Sequence, residues 1–163
     1  MVQDDKALLG RLKENGVEFV IVGGVCGTLH GVSLVTKDID VCCPFTRQNL
    51  LRIESSMKGL NPIHRQTPHK LPFVLTEHLL LNLKNLCLGT DLGKIDFLSE
   101  ITGLGNYDAV LARSVLIGMS YGEFRMLNID ALIESKSAVG RDQDVMAIKQ
   151  LRAIQERNER RKS

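Results

Sequence analysis

Two glycines and two aspartates, thirteen residues apart, constrain this chain more than any other feature: Gly23-Gly24 and Asp38-Ile39-Asp40. The largely apolar run Val17-Glu18-Phe19-Val20-Ile21-Val22 leads into the glycines, and Val41-Cys42-Cys43 follows the aspartates. That order predicts a strand, a glycine turn, a short helix and a second strand. Residues i and i+2 of a strand share a face, so Asp38 and Asp40 project together while Ile39 turns into the core. Carboxylates held that close repel each other, and a hard cation such as Mg²⁺, which prefers oxygen ligands, relieves the repulsion. Glycines without Cβ atoms let backbone N–H groups approach a bulky ligand. The helix expected over Val25–Gly31 presents an N-terminus that favours anions. The plainer alternative is an ordinary glycine turn followed by an exposed acidic strand end.

A third carboxylate belongs to this pattern. Leu79–Leu88 and Gly93–Leu98 read as two strands of a hairpin turning at Gly89-Thr90-Asp91-Leu92-Gly93. In Lys94-Ile95-Asp96-Phe97-Leu98, apolar neighbours flank Asp96. If they face the core, Asp96 faces the other side of the sheet, where the first pair can stand on a neighbouring strand. Alone, Asp96 reads as a solvated carboxylate on a half-exposed strand.

Elsewhere the chain alternates helix and strand signals. Ala7–Asn15 reads as a helix closed by Asn15-Gly16, and Asn49–Met57 continues a helix begun near Pro44 and Thr46. A short helix is expected within Gly103–Ala112. Ser114–Met119 and Glu123–Leu127 read as a second hairpin, and Asn128 or Asp130 as the cap of a helix over Ile129–Ala138. Asp142 is expected to cap the last helix, with Val145, Ile148, Leu151 and Ile154 on its apolar stripe. The basic tail from Arg157 to Ser163 is expected to fray. Asn61–His78 carries Pro62, Pro68 and Pro72, which argue for loops and edge strands. Its histidines, His64, His69 and His78, are not at metal-ligand spacing.

Composition bounds the function. A length of 163 residues suits one compact domain, 1–163, and 44% hydrophobic residues suffice for a core. Aromatics are 4% with no Trp, and net charge is +2, which argues against base stacking on single strands and against a large nucleic-acid footprint. Cys26, Cys42, Cys43 and Cys87 include no CxxC pair and read as buried, reduced thiols. No signal-peptide pattern or membrane-length apolar stretch is present, so a cytoplasmic protein is expected.

Gly23-Gly24, Asp38-Ile39-Asp40 and Ile95-Asp96-Phe97 together resemble the nucleotidyltransferase superfamily related to DNA polymerase beta. The resemblance implies an α/β (α+β) fold: a mixed β-sheet with flanking helices and a C-terminal helical pair. The segment from Leu132 to Asp144 is similar to a signature of one branch, which holds small bacterial nucleotidyltransferases and the toxin half of abortive-infection toxin–antitoxin pairs. What this implies is transfer of a nucleoside monophosphate from an NTP to a hydroxyl of RNA, protein or a small molecule, releasing pyrophosphate. Asp38, Asp40 and Asp96 would hold Mg²⁺ (or Mn²⁺), and Lys136 would join them as a catalytic residue. Gly23, Gly24, Thr36, Lys37, Arg141 and Asp144 would bind the nucleotide. An antitoxin-like partner is implied by the same branch. That branch often carries arginines just before the carboxylate pair, whereas this chain has Val32-Ser33-Leu34-Val35 there. Two further readings therefore stand beside the enzyme: a non-catalytic nucleotide-binding or interaction module that kept the fold, and a toxin held by a partner.

Overall fold

The computed structural model describes residues 3–162. The readings of the N-terminus and of the tail extend to Met1, Val2 and Ser163, which lie outside the described residues; the rest of the tail, 157–162, is not frayed but continues the last helix. The first half of the chain forms α1 (Asp5–Glu14), β1 (Val20–Val22), α2 (Gly23–His30), β2 (Asp38–Cys42), α3 (Arg47–Ser56) and β3 (Ile63–His64). Then come α4 (Glu77–Asn82), β4 (Asn85–Thr90), β5 (Gly93–Leu98), the short strands β6 (Glu100–Ile101) and β7 (Gly105–Asn106), and α5 (Tyr107–Ala112). The hairpin β8 (Ser114–Met119) and β9 (Gly122–Leu127) precedes α6 (Ile129–Val139), a 3-10 turn (Asp142–Asp144) and α7 (Val145–Lys162).

Seven strands form one mixed sheet in the order β3-β4-β5-β2-β1-β9-β8. The β2–β5 and β1–β9 pairs are parallel, and the remaining pairs are antiparallel. α2 packs on β1 and β2 and against α6 and α7, while α1 packs on α3 and β5. Helix starts follow local chemistry, since side chains of Asp4, Thr46, Asn106 and Asn128 accept N–H bonds at the first turns of α1, α3, α5 and α6.

The register of the two central strands is fixed by burial. Ile39 and Ile95 are direct partners, and both are fully buried. A one-residue slip of β2 would move Asp38 and Asp40 to that buried face. Unpaired carboxylates there would cost several kcal/mol each, against about 1.5–3 kcal/mol for each apolar side chain lost from the core.

The structure corrects several expectations. Leu79–Leu88 is not one strand. Thr76 accepts the N–H of Leu79 and starts α4, so the leucines Leu79, Leu80 and Leu81 are helical and the strand begins only at Asn85. β1 is shorter than Val17–Val22, because the N–H of Val17 bonds the Leu12 carbonyl and the N–H of Glu18 bonds the Asn49 side chain. α2 starts two residues early, at Gly23 itself. Asp142 lies inside the 3-10 turn and not at a side-chain cap of α7, and Val145 is half-exposed and outside the core. All four cysteines are buried free thiols.

Candidate functional site

One rung of the sheet carries the acidic chemistry. Val22, Asp40, Asp96 and Cys87 are successive register partners across β1, β2, β5 and β4. Asp38 heads the next same-face rung with Lys94 and Gly89. The alternation that buries Ile39 and Ile95 therefore brings all three aspartates to one face. Burial, then the charges of Asp96 and Asp38, push the Asp40 carboxyl up to about 7.

The glycines fit this acid closely. Gly23 has φ +66°, and a Cβ there would run into the Asp40 carboxylate, its Cγ lying 3.1 Å away. A Cβ on Gly24 would meet the Thr36 methyl at 2.7 Å. Only residues without side chains let the start of α2 press against β2 and its loop. Val22 precedes α2 and makes no side-chain cap, and Gly23 and Gly24 at the start of the helix border the clefts described below.

Two cations come from α6 and the turn that follows it. Lys136 on α6 is 9% exposed and Asp144 5% exposed, which sets Lys136 apart from an ordinary solvated helix lysine. Lys136 Nζ lies 3.3 Å from Asp144 Oδ1, and Arg141 Nε donates to Asp144 Oδ2 at 2.8 Å. Burial alone would raise the Asp144 carboxyl. The hydrogen bond from Arg141 and the charges of Lys136 and Arg141 outweigh it and hold the group below its usual range.

Two clefts of about 450 Å³ each open on this arrangement. Gly23, Asp40, Asp96, Lys136, Arg141 and Asp144 line one, together with Lys84, Asn85 and residues 98–102. Gly24, Thr36, Lys37, Asp38, Asp40, Lys136, Arg141 and Asp144 line the other. Every residue singled out from the sequence thus borders one cleft or both, and Asp40, Lys136, Arg141 and Asp144 form the shared wall. Asp38 and Asp96 fall on opposite sides of that wall.

One residue was missed. The guanidinium of Arg65, just past β3, contacts Asp96 Oδ1 through Nη1 and lies 3.4 Å from Asp38 Oδ2 through Nη2. Arg65 sits in the proline-rich segment with no periodicity around it, and no sequence signal pointed to it. The three histidines of that stretch have no place in the site. His64 stacks edge-on against Phe73, His78 pairs with Asn82, and His69 is exposed.

The donor chemistry fits a hard divalent cation. The three carboxylates offer only oxygen, and Asp40, raised first by burial and then by the charges of Asp96 and Asp38, is a group whose ionised form a cation would favour. The arrangement is not assembled for one as it stands: among the described residues no three His, Cys, Asp or Glu side chains are gathered closely enough to hold a metal ion. Arg65 holds two of the three acids instead.

The sheet order and flanking helices define a fold of the nucleotidyltransferase type. The solved structure of TM1012 from Thermotoga maritima, a protein described as a proposed nucleotidyltransferase, is similar with a TM-score of 0.52 and 16% identity, over 88% of this chain and 86% of that one. JHP933 from Helicobacter pylori shows a looser likeness, with a TM-score of 0.48 and 16% identity, over 90% of this chain and 66% of its own. No protein-family model and no curated protein matches the chain significantly. Among the described residues no helix is long and apolar enough to cross a membrane.

Proposed function

We propose that this chain is a divalent-metal-dependent nucleotidyltransferase. The observation that carries the reading is the strand register that sets Asp38, Asp40 and Asp96 on one sheet face, beside a glycine-built helix start and the Lys136–Arg141 pair. Asp38, Asp40 and Asp96 would hold Mg²⁺, which when bound supplies charge neutralisation for the phosphates. The first amides of α2 would seat the triphosphate, with Thr36 and Lys37 bordering the same cleft. Lys136 would offset charge on the leaving group. The acceptor hydroxyl would attack the α-phosphorus. The bond from that phosphorus to the bridging oxygen would break, pyrophosphate would leave, and the hydroxyl proton would pass to a carboxylate oxygen of Asp96.

A second reading has its own support. Arg65 neutralises Asp38 and Asp96 without a metal, and Val32–Val35 supplies no cation, as suits a nucleotide-binding module without catalysis. The finer reading, an RNA or protein acceptor and control by an antitoxin-like partner, rests on the resemblance of residues 132–144 alone.

The test is incubation with each α-labelled NTP and Mg²⁺, with RNA and protein fractions as acceptors. Label transfer that disappears in Asp38→Asn and Asp40→Asn supports the enzyme. Saturable NTP binding with no label transfer to any acceptor supports the module.

A further inference from the structure

Arg65 reaches Asp96 from two strands away and Asp38 from three. Its own backbone N–H bonds the Cys87 carbonyl on β4 at 3.0 Å, beside the edge strand β3. Its side chain crosses β4 to reach Asp96 on β5 and Asp38 on β2. The path has a built floor. A Cβ on Gly89 would lie 3.4 Å from Arg65 Cγ and 3.5 Å from Cδ, ordinary packing distances, so the arginine stem lies directly over β4 at this residue. The Arg65 side chain is only 23% exposed, and those of Asp38 and Asp96 are 31% and 17% exposed. This is not a solvated surface pair.

A guanidinium keeps its charge at every accessible pH and presents a fork of donors that can span two carboxylates. It thereby does two things a divalent cation would do at the same place: it draws the acids on and cancels part of their repulsion. The two cations compete for the same oxygens and repel each other.

We propose that Arg65 is a built-in competitor for the metal, holding Asp38 and Asp96 when no metal is bound and releasing them when a divalent cation enters. The inference rests on the carboxylate site proposed above. Once released, Arg65 is a cation beside Asp38, which borders the cleft whose loop has none at Val32–Val35. The competitor and the missing loop charges are then two sides of one arrangement.

Mn²⁺ binding to the full chain, read by electron paramagnetic resonance and calorimetry without nucleotide, tests the idea. Arg65→Gln should bind Mn²⁺ about tenfold tighter or more, and Arg65→Lys should fall between it and the wild type, because one like charge is removed or loosened beside the ion. Arg65→Gln should also melt lower without metal and recover on adding it. A merely structural arginine would not tighten metal binding when lost. In the wild type, the Arg65 Nε–H resonance should shift on saturation with Mg²⁺, a readout that needs no variant. Wild-type Mn²⁺ binding that is unchanged or weakened in Arg65→Gln, or a resonance unmoved at saturation, overturns the competitor and leaves the metal site standing. No Mn²⁺ binding by either protein overturns the metal site, and the competitor with it.

Discussion

Asp40 and Asp96 are direct partners on the parallel strands β2 and β5, and burial together with the neighbouring charge holds Asp40 at a pKa of about 7. The same carboxyl in an unfolded chain titrates at 3.8. Between those values the native state holds more protons than the unfolded one, so this group makes stability fall as pH rises through that window. Asp40→Asn removes the dependence. The variant should be more stable than the wild type at pH 7.5 by about 1–3 kcal/mol, with the gap closing toward pH 4. Metal-free calorimetric melts across that range measure it, and a variant that melts lower at pH 7.5 contradicts the assignment.

Asp144 has the opposite sign. Its folded pKa lies below the usual value, so its contribution is present above about pH 4 and is lost as pH falls through the folded value. Asp144→Asn leaves buried Lys136 without its acid and should cost about 2–4 kcal/mol at pH 7. In urea melts at pH 7 and pH 3 the difference from wild type should shrink at the lower value. An equal difference at both would mean that packing, not charge, accounts for it.

Lys136 should matter more to ligand than to fold. A charge-assisted phosphate contact is worth about 1.5–3 kcal/mol, so Lys136→Met should weaken NTP binding roughly ten- to a hundredfold. Methionine keeps most of the buried stem volume, which limits the stability loss. An unchanged dissociation constant by calorimetric titration would remove Lys136 from the nucleotide site.

Gly23→Ala should be destabilising by about 1–3 kcal/mol, because φ is +66° and the added methyl meets the Asp40 carboxylate. Combining it with Asp40→Ala removes the collision but leaves the backbone strain. The double variant should therefore be more stable than the sum of the singles predicts, by about 0.5–1.5 kcal/mol. Strict additivity in chemical melts would show that the two residues do not press on each other.

The legible part of this site is the part built from local rules. Asp38 and Asp40 share a face by strand alternation, Asp96 stands out by its apolar flanks, and of the two caps read for α6, Asn128 and Asp130, it is Asn128 that caps it. Arg65 could not be read this way. Its relation to Asp38 exists only because β3, β4, β5 and β2 lie side by side in that order, and a strand of two residues carries no periodicity. α4 misled for a related reason. Three consecutive leucines fit a buried strand as well as one turn and a half of helix, and the Thr76 cap settles which forms. The division into two clefts depends on where α6 and α7 dock, which no spacing within either helix specifies.

The bond from the Ser33 N–H to the Gln150 side chain, at 2.8 Å, spans 117 positions, and the Lys136–Asp144–Arg141 cluster closes against residues laid down a hundred places earlier. A ribosome delivers the acids long before the cations that share their clefts. Until α6 and the turn after it have emerged and docked, a nascent chain carries the carboxylates with Lys37, Arg65 and Lys84 but without Lys136 and Arg141. The shared wall of the two clefts, Asp40 with Lys136, Arg141 and Asp144, is therefore complete only when the last quarter of the chain has joined the first.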